Sequence, residues 1–164
     1  MLEIEIFSDV VCPWCFIGKR RLDRVLATEL GAGIHLRWRP YLLYPQIAPQ
    51  GVDRGEYLAR RYGPDADRAR VPARISQEAE AEGITLDYER IKRMPNTLLA
   101  HRLLELAYAH GVQHDLAEVL FQGYFCQGRD VGDEHELVSL AGEVGLGEAT
   151  VRSFLAGDGG REEV

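Results

Sequence analysis

The sequence lacks the segments that hold a protein in a membrane or direct it out of the cell. Its longest uninterrupted apolar runs are only a few residues, whereas a membrane-spanning helix needs about 20. The opening MLEIEIFSDV has no basic region, no long apolar stretch and no small-residue cleavage site, so it is not typical of a secretory signal. We therefore predict a cytoplasmic protein with no membrane partner.

Positive charge is also scarce in this chain. The 164 residues include 19 Lys and Arg against 26 Asp and Glu, which gives a net charge of −7. An acidic chain repels phosphate backbones, so we expect no nucleic-acid partner. Hydrophobic residues nevertheless make up 46% of the chain, which is enough for one core without disulfide staples or a structural metal.

Cysteine is rare as well, and its placement is informative. The chain has three cysteines, Cys12, Cys15 and Cys126. This number is too small for a disulfide framework, and because it is odd, it would leave one cysteine unpaired. In a reducing compartment, a close cysteine pair is more often catalytic or metal-binding than structural. The chemistry of this protein is therefore expected at Cys12 and Cys15.

The opening of the chain has the pattern of a strand, a helix and a second strand. Apolar and polar residues alternate over 2–8 and again over 34–39, which predicts two β-strands. The apolar residues that follow Cys15 are spaced helically up to Leu26, and Pro13 suits the first turn of such a helix. We expect residues 1–45 to form this βαβ unit, with Cys12 at the start of its helix.

The rest of the chain, residues 46–164, is predicted to be a helical domain. Pro72 predicts a break or a late start in the second of its helices. The expected N-caps of the first, third and fifth helices are Asp53, Asn96 and Asp133. The polar tail after 156 is expected to be structureless. The predicted helices cover residues 53–62, 67–82, 97–110, 113–127, 133–144 and 148–156.

Two cysteines separated by two residues at a helix start suit thiol–disulfide exchange. The first sulfur lies at the positive end of the helix dipole, which lowers its pKa and makes it the attacking thiolate. The second sulfur lies within the first turn and can resolve the mixed disulfide. Pro13 fixes the backbone between them, while Trp14 adds no charge. This chemistry needs no cofactor and no metal.

Two other interpretations of the pair stay open at this point. A C-x-x-C can occur by chance in a core helix, because free cysteine packs as a small hydrophobe. It can also be half of a zinc site, which Cys126 and one of four histidines would have to complete. The order of strand, short loop, C-x-x-C and helix favours the redox interpretation. The four histidines are His101, His110, His114 and His135.

The segment SDVVCPWCFIGK, residues 8–19, resembles the opening of DsbA-family thiol oxidoreductases, specifically those of the FrnE-type branch. Their superfamily also includes 2-hydroxychromene-2-carboxylate isomerases and kappa-class glutathione transferases. Residues 95–102, 124–125 and 128–131 resemble the helical domain of the same family. The resemblance implies an α/β, thioredoxin-like fold with a large all-helical insertion.

The resemblance also implies the roles of individual residues. Cys12 would be the attacking thiol and Cys15 the resolving one, acting on protein or small-molecule thiols and disulfides, glutathione among them. Asn96 and His101 are candidate substrate-facing residues, because the family's helical domain overhangs the cysteines. On their own, they are more simply a helix cap and a structural histidine.

Two alternative functions follow from the same superfamily and motif. Members that catalyse glutathione-dependent isomerisation or transfer usually have serine where this chain has Cys12, so Cys12 favours disulfide chemistry. A glutathione-dependent isomerase or transferase remains the first alternative. A redox-inactive or zinc-binding module is the second.

The family continues beyond a segment like residues 161–164 into a cis-proline loop, two strands and a helix. We therefore expect that this chain lacks the C-terminal strands of its fold and that the encoded protein is about 40–60 residues longer. If the chain were complete, its exposed sheet edges would favour aggregation or a homodimer.

Overall fold

A computed structural model describes residues 2–67 and 69–164. Strands β1 (Leu2–Ser8) and β2 (Ile34–Pro40) pair in parallel along their whole length. Helix α1 (Pro13–Leu26) and a 3₁₀ turn (Glu29–Gly31) connect them. The predicted strands and the helix between them are therefore confirmed, and the crossover carries the cysteines to one end of the sheet.

Six further helices follow among the described residues, and they match the predicted ones in number and order. A two-residue antiparallel pair between β3 and β4 lies among them; it was not predicted because strands this short have no readable periodicity. The elements are β3 (Val52–Asp53), α2 (Arg54–Tyr62), α3 (Ala73–Ala81), β4 (Arg93–Met94), α4 (Leu98–Ala109), α5 (Gln113–Phe125), α6 (Glu134–Glu143) and α7 (Glu148–Ala156).

Side-chain caps fix the starts of two helices where the sequence predicts them. The Asp53 carboxylate accepts the N–H of Glu56 at 2.9 Å. The Asp133 carboxylate accepts the N–H of Glu136 at 3.0 Å. Each cap satisfies one of the backbone N–H groups that a helix N-terminus leaves without a partner.

Of two further predicted helix starts, one is late, as Pro72 predicts, and the other needs correction. The helix expected over 67–82 begins at Ala73 with Pro72 as its N-cap, because the proline ring cannot continue a helix from the preceding turn; residue 68 lies outside the described residues. Helix α4 begins at Leu98 with Thr97 as its N-cap. Asn96, the predicted N-cap, lies one residue before the observed cap, yet its side-chain oxygen still accepts the Leu98 N–H at 3.0 Å.

The main core lies between α1, the sheet and helices α4–α7. Phe16 of α1 is fully buried, and its ring stacks on that of Phe121 with a centroid distance of 5.2 Å. The amide of the Gln113 side chain exchanges two hydrogen bonds with the backbone of Trp38 in β2, at 2.8 and 3.0 Å. Gln113 thus satisfies backbone groups of the sheet that would otherwise be buried without partners.

The predicted structureless tail is wrong for its first residues. The buried guanidinium of Arg102 donates to the carbonyls of Gly157 and Gly159, both at 2.6 Å. It also donates to Phe154 and Leu155 in the last turn of α7. Arg102 therefore caps this helix end and holds the first turn of the tail. A backbone-binding arginine that lies 53 residues before Leu155 leaves no local signal in the tail itself.

None of the helices in the described part of the chain combines the length and apolarity needed to cross a membrane.

Candidate active site

The two cysteines occupy the first turn of α1. Cys12 is the N-cap, with an extended backbone at φ −97° and ψ 113°, and Pro13 is the first helical residue. The Cys12 carbonyl accepts the N–H groups of Cys15 and Phe16 at 3.1 and 3.3 Å. Both thiols are reduced and half-buried. The local sequence thus places two sulfurs on the same side of one helix start.

The two thiols are joined by a hydrogen bond, so they share the remaining proton once the first has been lost. The hydrogen bond from Cys12 lowers the pKa of Cys15 to about 6, and the same bond, together with burial, raises the pKa of Cys12. Because either sulfur can hold the shared proton, these values belong to the pair. The dithiol therefore releases its first proton below the ordinary thiol pKa and its second above it.

The helix start favours negative charge on Cys12 as well. The N–H groups of Trp14 and Cys15 are directed at the Cys12 sulfur and lower its pKa. The hydrogen bond to the Cys15 side chain raises this pKa and outweighs them. These are the amides that carry the positive end of the helix dipole. A thiolate on either sulfur is therefore stabilised at this position.

The end of β1 contributes two groups that sequence reasoning missed. After the Cys12 hydrogen bond and burial, the Ser8 hydroxyl and the Asp9 N–H are the next influences on Cys15, and both lower its pKa. The Ser8 oxygen is buried and makes no well-formed hydrogen bond to any group in the described residues. Two polar residues at a buried strand end were the signal available in the sequence.

The Asp9 side chain is buried beneath the cysteines. Its carboxylate raises the pKa of Cys15 by charge repulsion, against the larger lowering influences. One carboxylate oxygen accepts the Leu43 N–H at 2.7 Å, and the other lies 3.2 Å from Nε2 of His101. Asp9 thus connects β1, the loop after β2 and helix α4.

A cavity of about 860 Å³ opens beside Cys12. Cys12, Pro13 and Trp14 form one side of it, and Cys15 is not among its lining residues. The opposite walls come from α2, α5 and the segments that flank α3. The cavity is rich in aromatic rings and also has charged groups of both signs: Tyr44, Tyr57, Tyr62, Tyr88, Tyr124, Phe125, Arg54, Arg61, Arg70, Asp65 and Asp67.

Tyr88 and Tyr124 of the cavity wall are neutral hydrogen-bonding groups. Burial raises the pKa of Tyr88 to about 12 and also raises that of Tyr124. Arg54 lies over the Tyr88 ring, 5.2 Å from its centre. Trp14 is 42% exposed at the cavity edge, with Arg74 5.7 Å from its ring centre. The wall thus offers flat apolar surface with phenol groups between.

The other predicted site residues are turned towards the protein. The Asn96 amide donates to the Ile47 carbonyl at 2.7 Å, and its oxygen is the acceptor for Leu98 described above. His101 is 2% exposed and faces Asp9. Neither residue lines the cavity, and their role towards a substrate stays a prediction.

Cys126, the third cysteine, lies far from the dithiol in the sequence. It is the half-buried residue that ends α5, and burial raises its pKa. No three His, Cys, Asp or Glu side chains cluster as a metal site within residues 2–67 and 69–164. The zinc interpretation therefore finds no ligand set in the part of the chain that the structure describes.

Residues 3–164 match the family model of the DSBA-like thioredoxin domain, and the chain belongs to this family. The uncharacterised protein YwbO of Bacillus subtilis (strain 168) is 29% identical over 154 residues, which cover 94% of this chain and 72% of YwbO. Membership of the DsbA family, predicted from the sequence, is thus confirmed. The thioredoxin-like fold with its helical part is confirmed as well.

Solved structures have the same fold. A probable DsbA oxidoreductase from Streptomyces coelicolor aligns with a TM-score of 0.80 at 28% identity, over 99% of this chain and 73% of that one. The cytosolic disulfide reductase DsbM from Pseudomonas aeruginosa aligns at 0.70 and 19% identity, over 99% and 74%. A 2-hydroxychromene-2-carboxylate isomerase aligns at 0.65 and 14% identity, over 98% and 74%. The last two likenesses concern the fold alone.

Proposed function

We propose that this DsbA-like protein is a thiol–disulfide oxidoreductase of the FrnE type that works through the Cys12–Cys15 dithiol. One observation carries the proposal. Two reduced thiols are joined by a hydrogen bond at the start of α1, and Cys12 opens into the cavity. Dithiols with a lowered first pKa supply the thiolate that disulfide exchange requires at neutral pH.

Cys12 is the attacking thiol in this proposal because it lines the cavity. Its thiolate attacks one sulfur of a substrate disulfide, forms a mixed disulfide and expels the other sulfur as a thiolate. The Cys15 thiolate then attacks the Cys12 sulfur, which releases the second substrate thiolate and leaves a Cys12–Cys15 disulfide. The substrate gains two electrons and the protein's dithiol loses two. A low-molecular-weight thiol then reduces the Cys12–Cys15 disulfide again. The reverse sequence oxidises a substrate dithiol.

The cavity favours small or extended substrates with a flat apolar group beside the reacting sulfur. Its tyrosines offer ring faces and phenol hydrogen bonds, and its arginines offer partners for carboxylates. A small-molecule disulfide, glutathione included, and an exposed protein disulfide both meet these requirements. We propose that the protein acts in the cytoplasm, without a nucleic-acid or membrane partner.

Trapping of the mixed disulfide tests the proposal. The Cys15→Ser variant, incubated with a disulfide substrate, is expected to accumulate a covalent adduct at Cys12 that intact mass and peptide mapping detect. Cys12→Ser is expected to give no adduct and no turnover. Cys126→Ser is the matched control and should exchange disulfides like the unmodified protein.

Two outcomes would contradict the proposed function. Adducts that form equally at Cys12 and Cys126 in the Cys15→Ser variant would show that Cys12 is not the selective nucleophile. Turnover of a glutathione-dependent isomerisation that persists in Cys12→Ser would favour the isomerase alternative.

A further inference from the structure

A buried carboxylate–imidazole pair links the helical domain to the dithiol. Nε2 of His101 on α4 lies 3.2 Å from Oδ1 of Asp9. The side chains are 2% and 1% exposed, respectively. The two residues are 92 positions apart in the sequence, so their meeting depends on the docking of α4 against the end of β1.

Asp9 also contacts both cysteines through its backbone. Its carbonyl accepts the Cys12 N–H at 3.0 Å, and its N–H donates to the Cys15 sulfur. Its second carboxylate oxygen is held by the Leu43 N–H. The carboxylate is therefore fixed in position beneath the thiols, and a charge in this buried site acts on them with little screening by water.

A carboxylate this deeply buried is costly unless a cation or several donors compensate it. His101 is the basic side chain bonded to Asp9, and the charged groups on neighbouring elements are directed elsewhere. Arg102 of α4 donates to the backbone carbonyls around 154–159. Glu105, one turn beyond His101, accepts from Arg37 of β2 at 3.3 Å. Lys19 of α1 pairs with carboxylates farther along that helix.

We propose that Asp9 and His101 are a positioning pair for the dithiol, in which the His101 imidazolium cancels the Asp9 charge beneath Cys15. The inference rests on the proposed function, because it concerns how the same thiols are activated. With both residues charged, the pair is neutral overall, so His101 offsets the repulsion that the Asp9 carboxylate exerts on a thiolate. A thiolate stabilised in this way favours the dithiol over the disulfide, so the pair also raises the reduction potential.

The charges of the two residues give the test a sign. His101→Gln keeps an N–H donor for Asp9 but removes the positive charge, so the first pKa of the dithiol should rise. Asp9→Asn keeps the shape but removes the carboxylate that stabilises the buried imidazolium, so His101 becomes neutral and the same pKa should stay unchanged. We expect a rise of about one pH unit in His101→Gln, which is about tenfold in thiolate fraction below the pKa, and no rise in Asp9→Asn. Thiolate ultraviolet absorbance against pH measures both.

A purely structural role predicts a different pattern. Both substitutions weaken the same hydrogen bond, so loss of structure alone would move both variants in the same direction. The double variant Asp9→Asn/His101→Gln should return towards the unmodified protein, because both charges are gone. Shifts of equal sign in the single variants, or no shift in either, would overturn the inference.

A second His–Asp pair in the chain is a matched control. His114 Nε2 lies 2.6 Å from Oδ1 of Asp23, and both side chains are partly exposed, at 28% and 34%. Asp23 follows Cys15 by eight residues, about 12 Å along α1. His114→Gln should therefore leave the first pKa of the dithiol unchanged; a shift like that of His101→Gln would show that the effect is not specific to the buried pair.

The unmodified protein offers a measurement that does not depend on the folding of a variant. Nuclear magnetic resonance of the His101 ring in the reduced protein should show protons on both ring nitrogens at neutral pH. A neutral ring would overturn the inference. Neither this readout nor thiolate absorbance requires a substrate, so failure of the inference is distinguishable from absence of disulfide exchange.

Discussion

A His–Asp pair lies near each end of helix α1, and the two pairs have different surroundings. At its start, the Asp9–His101 pair is buried next to two thiols. Nearer its end, Asp23 contacts His114, and Lys19 bridges Asp23 and Glu118 at 2.9 and 3.1 Å. Every charged group in this second cluster has an oppositely charged partner or a hydrogen bond.

The difference shows how the same two residue types, histidine and aspartate, have different roles at two places in the protein. A His–Asp contact that is partly exposed and tied to further ion pairs contributes to packing, and water screens its charge. A His–Asp contact that is buried beside an ionisable thiol changes the pKa of that thiol. Burial and neighbours decide the role, and the residue types alone do not.

The largest effect on stability is expected where the core supports the cysteines. Phe16 is 0% exposed and follows Cys15 directly. Phe16→Ala should lower the free energy of unfolding by about 3–5 kcal/mol, from lost burial and the cavity that remains. Val25, near the other end of α1, is 44% exposed, so Val25→Ala should change it by at most about 0.5 kcal/mol.

Urea unfolding of both variants measures this contrast. A similar loss in the two variants would contradict the assignment of the core to the cysteine end of α1. Thiol alkylation of folded Phe16→Ala shows whether the core also positions the dithiol.

The next effect is a dependence of stability on pH at the same end of the helix. The reduced native protein releases one thiol proton with a pKa of about 6, whereas an unfolded thiol keeps its proton up to about 9. Between these values the unfolded chain binds more protons, so stability rises with pH. The slope has an upper limit of about 1.4 kcal/mol per pH unit, which solvent screening of the half-buried thiols reduces.

Above the ordinary thiol pKa the trend should reverse, because the raised pKa of Cys12 means that the native protein then holds the extra proton. The oxidised protein has no thiol protons at this site and is the control. Urea unfolding of both redox forms over this pH range tests the prediction, and parallel pH profiles would contradict it.

Local features of this fold could be predicted from the sequence, whereas contacts between distant segments could not. Period-two alternation gave both long strands, and Asp53 and Asp133 marked two helix starts correctly because a cap acts within three residues. The Cys-Pro-Trp-Cys segment indicated the dithiol because its two cysteines are likewise only three residues apart. The Asp9–His101 contact and the cavity walls depend on how α4 and α2 pack, and no local pattern specifies this.

The smallest effect is expected at the far end of α1. Burial tends to raise the pKa of Asp23, but hydrogen bonds from Lys19 and His114 hold it below its usual value. A carboxyl with a lowered pKa stabilises the native protein above its unfolded pKa, and this contribution is lost as pH falls through the native value. Asp23→Asn should therefore cost about 1 kcal/mol at neutral pH, in the range for partly exposed pairs, and less in acid. Urea unfolding at both pH values measures this difference, and thiolate absorbance should be unchanged; an altered dithiol would show that the two ends of α1 are electrostatically coupled.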